Sequence, residues 1–347
     1  MRKTLLCSIL SVCCYVMAWG QPNSAISFRS LQTGHSAREA ALGGRCLAGF
    51  DQDINLAVFT PSLLDSTMST SLALNYVNYL ADINFGYAAY VHKVKSLPLT
   101  LSGGIRYFSY GKFEETDQYF NTYGTYTAGD YAFQLGAGWQ FDSNWTVGSN
   151  LKYIQANYAG YKAAAIATDL SVSYFNPKHL FAATLIVTDL GVVTKNISDE
   201  KTKLPTDIAI GFSKKLAKSP LRFNFVADNL TTWDLTYTDP NAKPEIDPLT
   251  GETKEVKQPS FGNKLFRHIY GGTEIVLTKS FHVRLGYNYR RRQELKLAEK
   301  PGTAGISWGF AFRISRFQFS YARVKYHLVS PSNHFTVSTN LSTFGKN

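Results

Sequence analysis

From residue 69 onward, large apolar side chains recur at every second position through much of the chain, with small or charged residues between them. FHVRLGYNYRRR sets Phe281, Val283, Leu285, Tyr287 and Tyr289 on one face and His282, Arg284, Gly286, Asn288 and Arg290 on the other. GISWGFAFRIS sets Ile306, Trp308, Phe310, Phe312 and Ile314 against Ser307, Gly309, Ala311 and Arg313. DYAFQLGAGWQF, NWTVGSNLKY and PLRFNFVAD repeat the arrangement. A period of two belongs to strands, since a helix would scatter these residues around its whole surface. One face of each strand must then meet an apolar medium and the other a polar one.

A soluble sandwich and a transmembrane barrel both meet that condition, and two observations choose the barrel. The first is the rhythm of the connections. About 14 strands are expected, starting near Ser71, Asp82, Leu97, Thr127, Asn144, Lys162, His179, Leu204, Leu221, Lys264, Phe281, Gly302, Phe317 and His334. Connections after even-numbered strands are tight (DSN, NPKH, TKS, ISR). After most odd-numbered strands they are long and polar: GKFEETDQYFNTYGTY, VTKNISDEKTK, and Thr231 to Asn263. Segregated turns and loops with an even strand count mark an outer-membrane barrel. Strands of about ten residues, tilted by about 40°, would cover the roughly 25 Å of its apolar band.

The second observation is the charge on the polar face. Alternation assigns it Arg106, Lys152, Arg222, Arg284, Arg290 and Arg313, with Asp169, Asp207 and Asp228. A packed sandwich would carry that many charges on one side of so many strands only if that side were solvent, whereas a barrel lumen lets them pair across or meet water. These residues are expected to form a pairing network that stiffens the barrel and seats a hatch within it. The fold class is therefore all-β, a 14-stranded antiparallel transmembrane barrel over residues 69–347.

A tube of that strand number is about 28 Å across, too wide for its own side chains to fill. Residues 21–68 are expected to supply the filling as an N-terminal hatch. SAREAALGG (36–44) reads as a short helix, with Ser36 as N-cap, Arg38 in the first turn, Glu39 completing a capping box and Gly43-Gly44 ending it. Pro61 marks a turn further on.

Residues 1–20 read as a secretory signal: Arg2-Lys3, an apolar run from Leu5 to Val16, then Ala18-Trp19-Gly20. Three of the four cysteines lie within it, so only Cys46 remains and no internal disulfide is expected. Export makes a nucleic-acid partner improbable for a chain of net charge +11, and an anionic membrane surface suits it better. The seven histidines form no ligand constellation, and no nucleophile motif is present. No enzyme activity, metal or cofactor is expected.

SAREAALGG, followed by Asp51-Gln52-Asp53 and NLAVFTPSLL, resembles the opening of the PorV/PorQ family of Bacteroidetes outer-membrane proteins, relatives of the FadL-type barrels. The likeness continues through NYVNYLADINFGYAAY, YGKFEETD, AGDYAF, NLTTWDLTY, RHIYGGTEI and RLGYNYRRRQELKL. A departure is Thr60-Pro61-Ser62, where FadL-type relatives carry Asn-Pro-Ala. A turn-type hydrogen bond from Thr60 is expected in compensation.

The resemblance implies an outer-membrane anchor in the attachment complex of the type IX secretion system, with long loops extracellular and termini periplasmic. Implied partners are a PorU-like sortase, a PorV-like sister barrel, a PorZ-like surface protein and lipopolysaccharide. Trp233 and Tyr237 in the longest loop, and Tyr119, Phe120 and Tyr123 in the aromatic tip, are candidate docking residues. Alternation puts Arg291 on the lipid side near the rim. There Arg291 and Arg292 either emerge into water or meet lipopolysaccharide phosphates. A PorV-like cargo shuttle and a FadL-like transporter are the competing roles.

Overall fold

A computed structural model describes residues 28, 30, 33–34, 36–49, 51–197, 202–236, 245–246, 253–254, 259–296, 302–328 and 330–344. Residues 1–20, expected from the sequence to be a secretory signal, lie outside them. Among the described residues, fourteen antiparallel strands close into one barrel. They are β1 (Ser71–Leu80), β2 (Ile83–Lys93), β3 (Leu99–Thr116), β4 (Thr122–Gln140) and β5 (Trp145–Tyr158). Next come β6 (Tyr161–Asn176), β7 (Phe181–Lys195), β8 (Asp207–Lys215) and β9 (Leu221–Ala227). The ring is completed by β10 (Ile269–Thr278), β11 (Phe281–Asn288), β12 (Ile306–Ile314), β13 (Phe317–Val324) and β14 (Ser332–Asn340). Pairing of β1 with β14, from Ser71↔Asn340 to Asn78↔Asn333, leaves no open edge around the ring.

The outer face is apolar and uncovered. Phe133, Leu135, Trp139, Leu151, Leu285 and Trp308 point outward, and Leu135 is 68 % exposed. Side chains one position along point inward and are buried, among them Gln134, Asn150, Lys152, Arg284 and Ser307. A soluble fold would have to hide the first set, whereas lipid solvates it. No helix among the described residues is long and apolar enough to cross a membrane. The strands have that role.

Three sequence expectations give way. The stretch expected as a loop around GKFEETDQYFNTYGTY is mostly strand. β3 and β4 continue to Thr116 and from Thr122 as one long hairpin, paired up to Thr116↔Thr122. Its alternating Thr, Tyr and Phe favour strand, and Asp117 closes the turn by accepting N–H bonds from Tyr119 (2.8 Å) and Asn121 (2.9 Å). The strand expected from Lys264 begins instead at Ile269, behind a helix (Phe261–Phe266) capped by Ser260. After β11 the chain turns into a further helix (Tyr289–Leu295), because the Asn288 side chain caps it by accepting from the Arg291 N–H at 2.9 Å. Arg291 therefore leaves the alternation that would have placed it against lipid.

The lumen is filled by chain from before β1. Helix α1 (Ala37–Ala41), helix α2 (Ile54–Ala57) and 3-10 turns at Pro61–Leu63 and Ser66–Met68 pack inside the ring. Leu42, Ile54, Leu56, Val58 and Leu63 bury themselves against Ala73, Tyr87, Ala89 and Val91 of the wall. Where the filling touches the wall most closely, the wall carries glycine. A β-carbon on Gly286 would lie 2.3 Å from Gly43 N, and one on Gly148 would lie 2.3 Å from the Pro61 carbonyl carbon. Only glycine lets two backbones approach that far.

Candidate functional site

The helix α1 that anchors the filling is closed by reciprocal bonds. Ser36 Oγ accepts from Glu39 N–H at 3.2 Å, and a Glu39 carboxylate oxygen accepts from Ser36 N–H at 3.2 Å. Gly43 (φ +99°) ends the helix, and Gly44 N–H returns to Glu39 O at 3.1 Å. The wall then satisfies what the helix leaves over. Thr336 Oγ1 accepts from Ala37 N–H (2.9 Å), while Asn288 and Ser307 donate to the carbonyls of Gly43 and Ala41, each at 3.0 Å. Further along, Ser62 N–H donates to Ser171 Oγ at 2.9 Å, and Gln134 and Asn150 donate to Val58 O. Thr60 makes a turn bond through its backbone, its carbonyl accepting from Leu63 N–H at 2.8 Å, and none through its hydroxyl. Its side chain makes no capping contact, and Oγ1 is buried without a partner.

At the centre of the interface lies Glu274, fully buried on β10. Its Oε2 stands 2.9 Å from Arg38 and 2.7 Å from Arg222, and its Oε1 stands 2.6 Å from Arg284. Asp51 joins Arg38 (2.6 Å) and Arg222 (2.7 Å), and Asp53 joins Arg38 at 3.0 Å. Arg38, Arg222 and Arg284 thus face Glu274, Asp51 and Asp53, and charge balances within the cluster. Filling contributes Arg38, Asp51 and Asp53, and wall contributes the rest, so the pairs cross the boundary between them. Burial alone would raise the Asp51 carboxyl, but Arg38 and Arg222 hold it down at about 2.

The other sequence-assigned lumen charges fall into separate groups. Lys152 bridges Asp169 (2.7 Å) and Asp189 (2.8 Å). Asp189 has φ +56° at a break in the β6–β7 register, and Asp169 accepts its N–H at 2.9 Å. Asp207 sits 3.8 Å from Arg45, and Asp228 sits 4.0 Å from Arg290 near the loop end. Arg106 lies over the Phe59 ring at 5.3 Å. Arg313 is exposed at the turn end, 3.0 Å from Gln318, and belongs to none of these groups. There it borders a recess of about 490 Å³ with Asp51, Asp53, Met68, His282 and Arg316. Reading the sequence missed Glu274 and Asp189. Glu274 was open to the same alternation, two residues beyond Gly272. Asp189 follows a register break that period two does not carry.

At the loop end, Trp233 is half exposed and packs on Phe261 (5.4 Å) and on the buried His268 (5.6 Å). Both His268 ring nitrogens face carbonyls, Asp228 O at 2.9 Å and Trp233 O at 3.0 Å. The imidazolium donates to both carbonyls and the neutral ring to one. His268→Ala removes these donors and is expected to free the segment at a local cost of about 1–3 kcal/mol. Faster amide exchange over residues 228–236 checks it, and unchanged exchange would refute it. Tyr237 lies outside the described residues. Tyr119, Phe120 and Tyr123 stand at the hairpin tip, Phe120 at 88 % exposure. Arg291 lies over the Tyr326 ring at 4.4 Å, on the lumen side, and Arg292 donates to the carbonyl of Gly302 at 2.8 Å. Among the described residues no cluster of His, Cys, Asp or Glu has metal-binding geometry.

No protein-family model matches the sequence, and no curated protein does. Among solved structures, the Pseudomonas putida toluene transporter TodX is similar over 91 % of this chain and 98 % of its own, at 11 % identity and a TM-score of 0.51. The CymD monoaromatic hydrocarbon channel covers 88 % and 96 % at 13 % identity and TM-score 0.46. A Pseudomonas aeruginosa FadL homologue covers 88 % and 98 % at 9 % identity and TM-score 0.45. Identity this low carries the fold alone. The chain has the fold of an outer-membrane barrel, with its lumen occupied.

Proposed function

We propose that the protein is a non-catalytic anchor in the outer membrane, holding an exported partner at the cell surface through its loop end. One observation carries this reading: the filling is tied to the wall by buried ion pairs that cross the boundary, with Glu274 at their centre. A closed barrel contributes surfaces rather than a passage. The resemblance to the PorV/PorQ family supports a type IX secretion attachment complex as the setting. The partners would be a PorZ-like surface protein, a PorU-like sortase and a PorV-like barrel, with loops outside and termini in the periplasm.

The fold likeness to TodX favours a second reading, transport of a small ligand. The recess at the turn end is mixed, with Ile54 and Met68 beside Asp51, Arg313 and Arg316, and these charges favour a polar over an apolar cargo. Purifying the tagged protein from its own outer membrane in mild detergent separates the two. The anchor reading expects a large soluble exported protein in near-equal amount, with sortase and sister-barrel subunits. Removing residues 231–263 is expected to lower recovery of that protein at least about tenfold, equivalent to about 1.4 kcal/mol of binding. A barrel recovered alone, or with lipid in its lumen, would put transport first.

A further inference from the structure

The β3–β4 hairpin rises past its neighbours. β2 stops pairing with β3 at Asn84↔Ser109, and β5 stops pairing with β4 at Tyr158↔Ala128. Beyond those points, Lys112–Thr116 and Thr122–Thr127 pair only with each other among the described residues. The register slips between Ser109 and Gly111, where the chain bends beside the turn at Asp82. Tyr131 lies at the upper end of the outward apolar residues of β4, so residues 122–130 extend beyond the apolar band by roughly 20 Å. Lys112, Phe113, Glu114, Glu115 and Thr116 are all exposed.

An exposed strand edge is a template for another strand, and proteins usually cover it, shorten it, bulge it, charge it or interrupt it with proline. Among the described residues neither cover nor proline protects the β3 edge over Lys112–Thr116, and its guards are the charges of Lys112, Glu114 and Glu115 and a register shift at Glu115/Thr116. The geometry points to this edge, Lys112–Thr116, as an acceptor for an extended basic segment of another protein, added as a third strand beside β3. Charge selects the occupant. Glu114 and Glu115, with Asp117 in the turn, outweigh Lys112 on a chain whose net charge is otherwise positive. Two copies in one membrane share an orientation, so their β3 strands would run parallel and two-fold symmetry would set Glu114 and Glu115 beside their own kind, which is destabilising across strands. A partner strand with two adjacent Lys or Arg opposite these carboxylates gains on both faces. An apolar residue before them would cover Phe113, already stacked on Tyr126 at 5.4 Å. Main-chain bonds would supply the attachment, and the side chains the selection.

This inference deepens the anchor role and rests on it. The test uses the full protein in nanodiscs with a synthetic nine-residue Thr/Val peptide carrying a central Lys-Lys pair, read by amide exchange. Exchange at alternate amides of residues 112–116 is expected to slow about tenfold. It should not slow with a Glu-Glu peptide, with a proline-interrupted one, or in a Glu114→Lys/Glu115→Lys variant whose barrel still shows heat-modifiable gel mobility. No slowing with any peptide, equal slowing with the acidic one, or protection arising from protein concentration alone would overturn the acceptor edge. Partner recovery from the native membrane, unchanged in the same double variant, would also overturn it while leaving the anchor role standing. Slowing by the basic peptide with no partner recovered would keep the edge and remove the anchor role.

Discussion

Glu274→Gln is expected to unseat the filling while leaving the barrel closed. The carboxylate is fully buried and touches Arg38, Arg222 and Arg284. Neutralising it strands three guanidinium groups beside two remaining carboxylates, Asp51 and Asp53. Breaking a buried pair in this way costs about 3–5 kcal/mol, because the surviving charges stay desolvated. Strand pairing around the ring does not depend on it, so the loss falls on the filling. Ion conductance in planar bilayers should rise, and protease should reach residues 36–68. Conductance equal to wild type would refute the role assigned to Glu274. Glu274→Leu/Arg284→Met removes one charge of each sign and should recover part of the loss, which a double-mutant cycle would measure.

The same cluster gives a pH dependence with a definite sign. Asp51 titrates at about 2 in the seated state, against 3.8 for a free carboxyl. Its contribution is complete above the unfolded value and is lost as pH falls through the seated one. Wild-type conductance should therefore stay low at neutral pH and rise between roughly pH 4 and pH 2. Opening on the alkaline side would contradict the assignment.

Gly286→Val tests the packing rather than the charge. The added β-carbon would meet Gly43 N and Leu42 C, each at 2.3 Å, and Ala41 O at 2.5 Å. All three are backbone atoms, so no rotamer change relieves the clash, and the end of α1 has to back away. Overpacking of this kind costs about 1–3 kcal/mol. Displacement would also break the bonds that Asn288 and Ser307 donate to Gly43 and Ala41. The expected result is faster amide exchange over residues 36–48 and raised conductance, with strand amides of β11 and β12 still protected. Exchange unchanged at 36–48 would mean that α1 does not dock on this strand.

Much of the wall was legible because alternation is a local property. Whether Leu285 or Arg284 faces outward follows from a period of two, once the medium on one side is known to be apolar. Arg313 shows the limit of that reasoning, since it has the right parity but sits at the exposed end of its strand. Parity gives a face and not a depth. Arg291 and the Gly111–Tyr126 stretch failed for a different reason. A cap from Asn288 ended one strand early, and cross-strand pairing prolonged another through a segment whose polarity suggested a loop.

The sequence by itself determined the strand number, the apolar outer face and the presence of a short capped helix ahead of the barrel, because each rests on residues adjacent in the chain. Only the tertiary structure decided which charges meet. Arg38 and Glu274 are 236 positions apart, and their 2.9 Å contact exists because ring closure and the seating of α1 bring them together. Pairing across a lumen depends on depth and register summed around fourteen strands, and no local pattern encodes that sum.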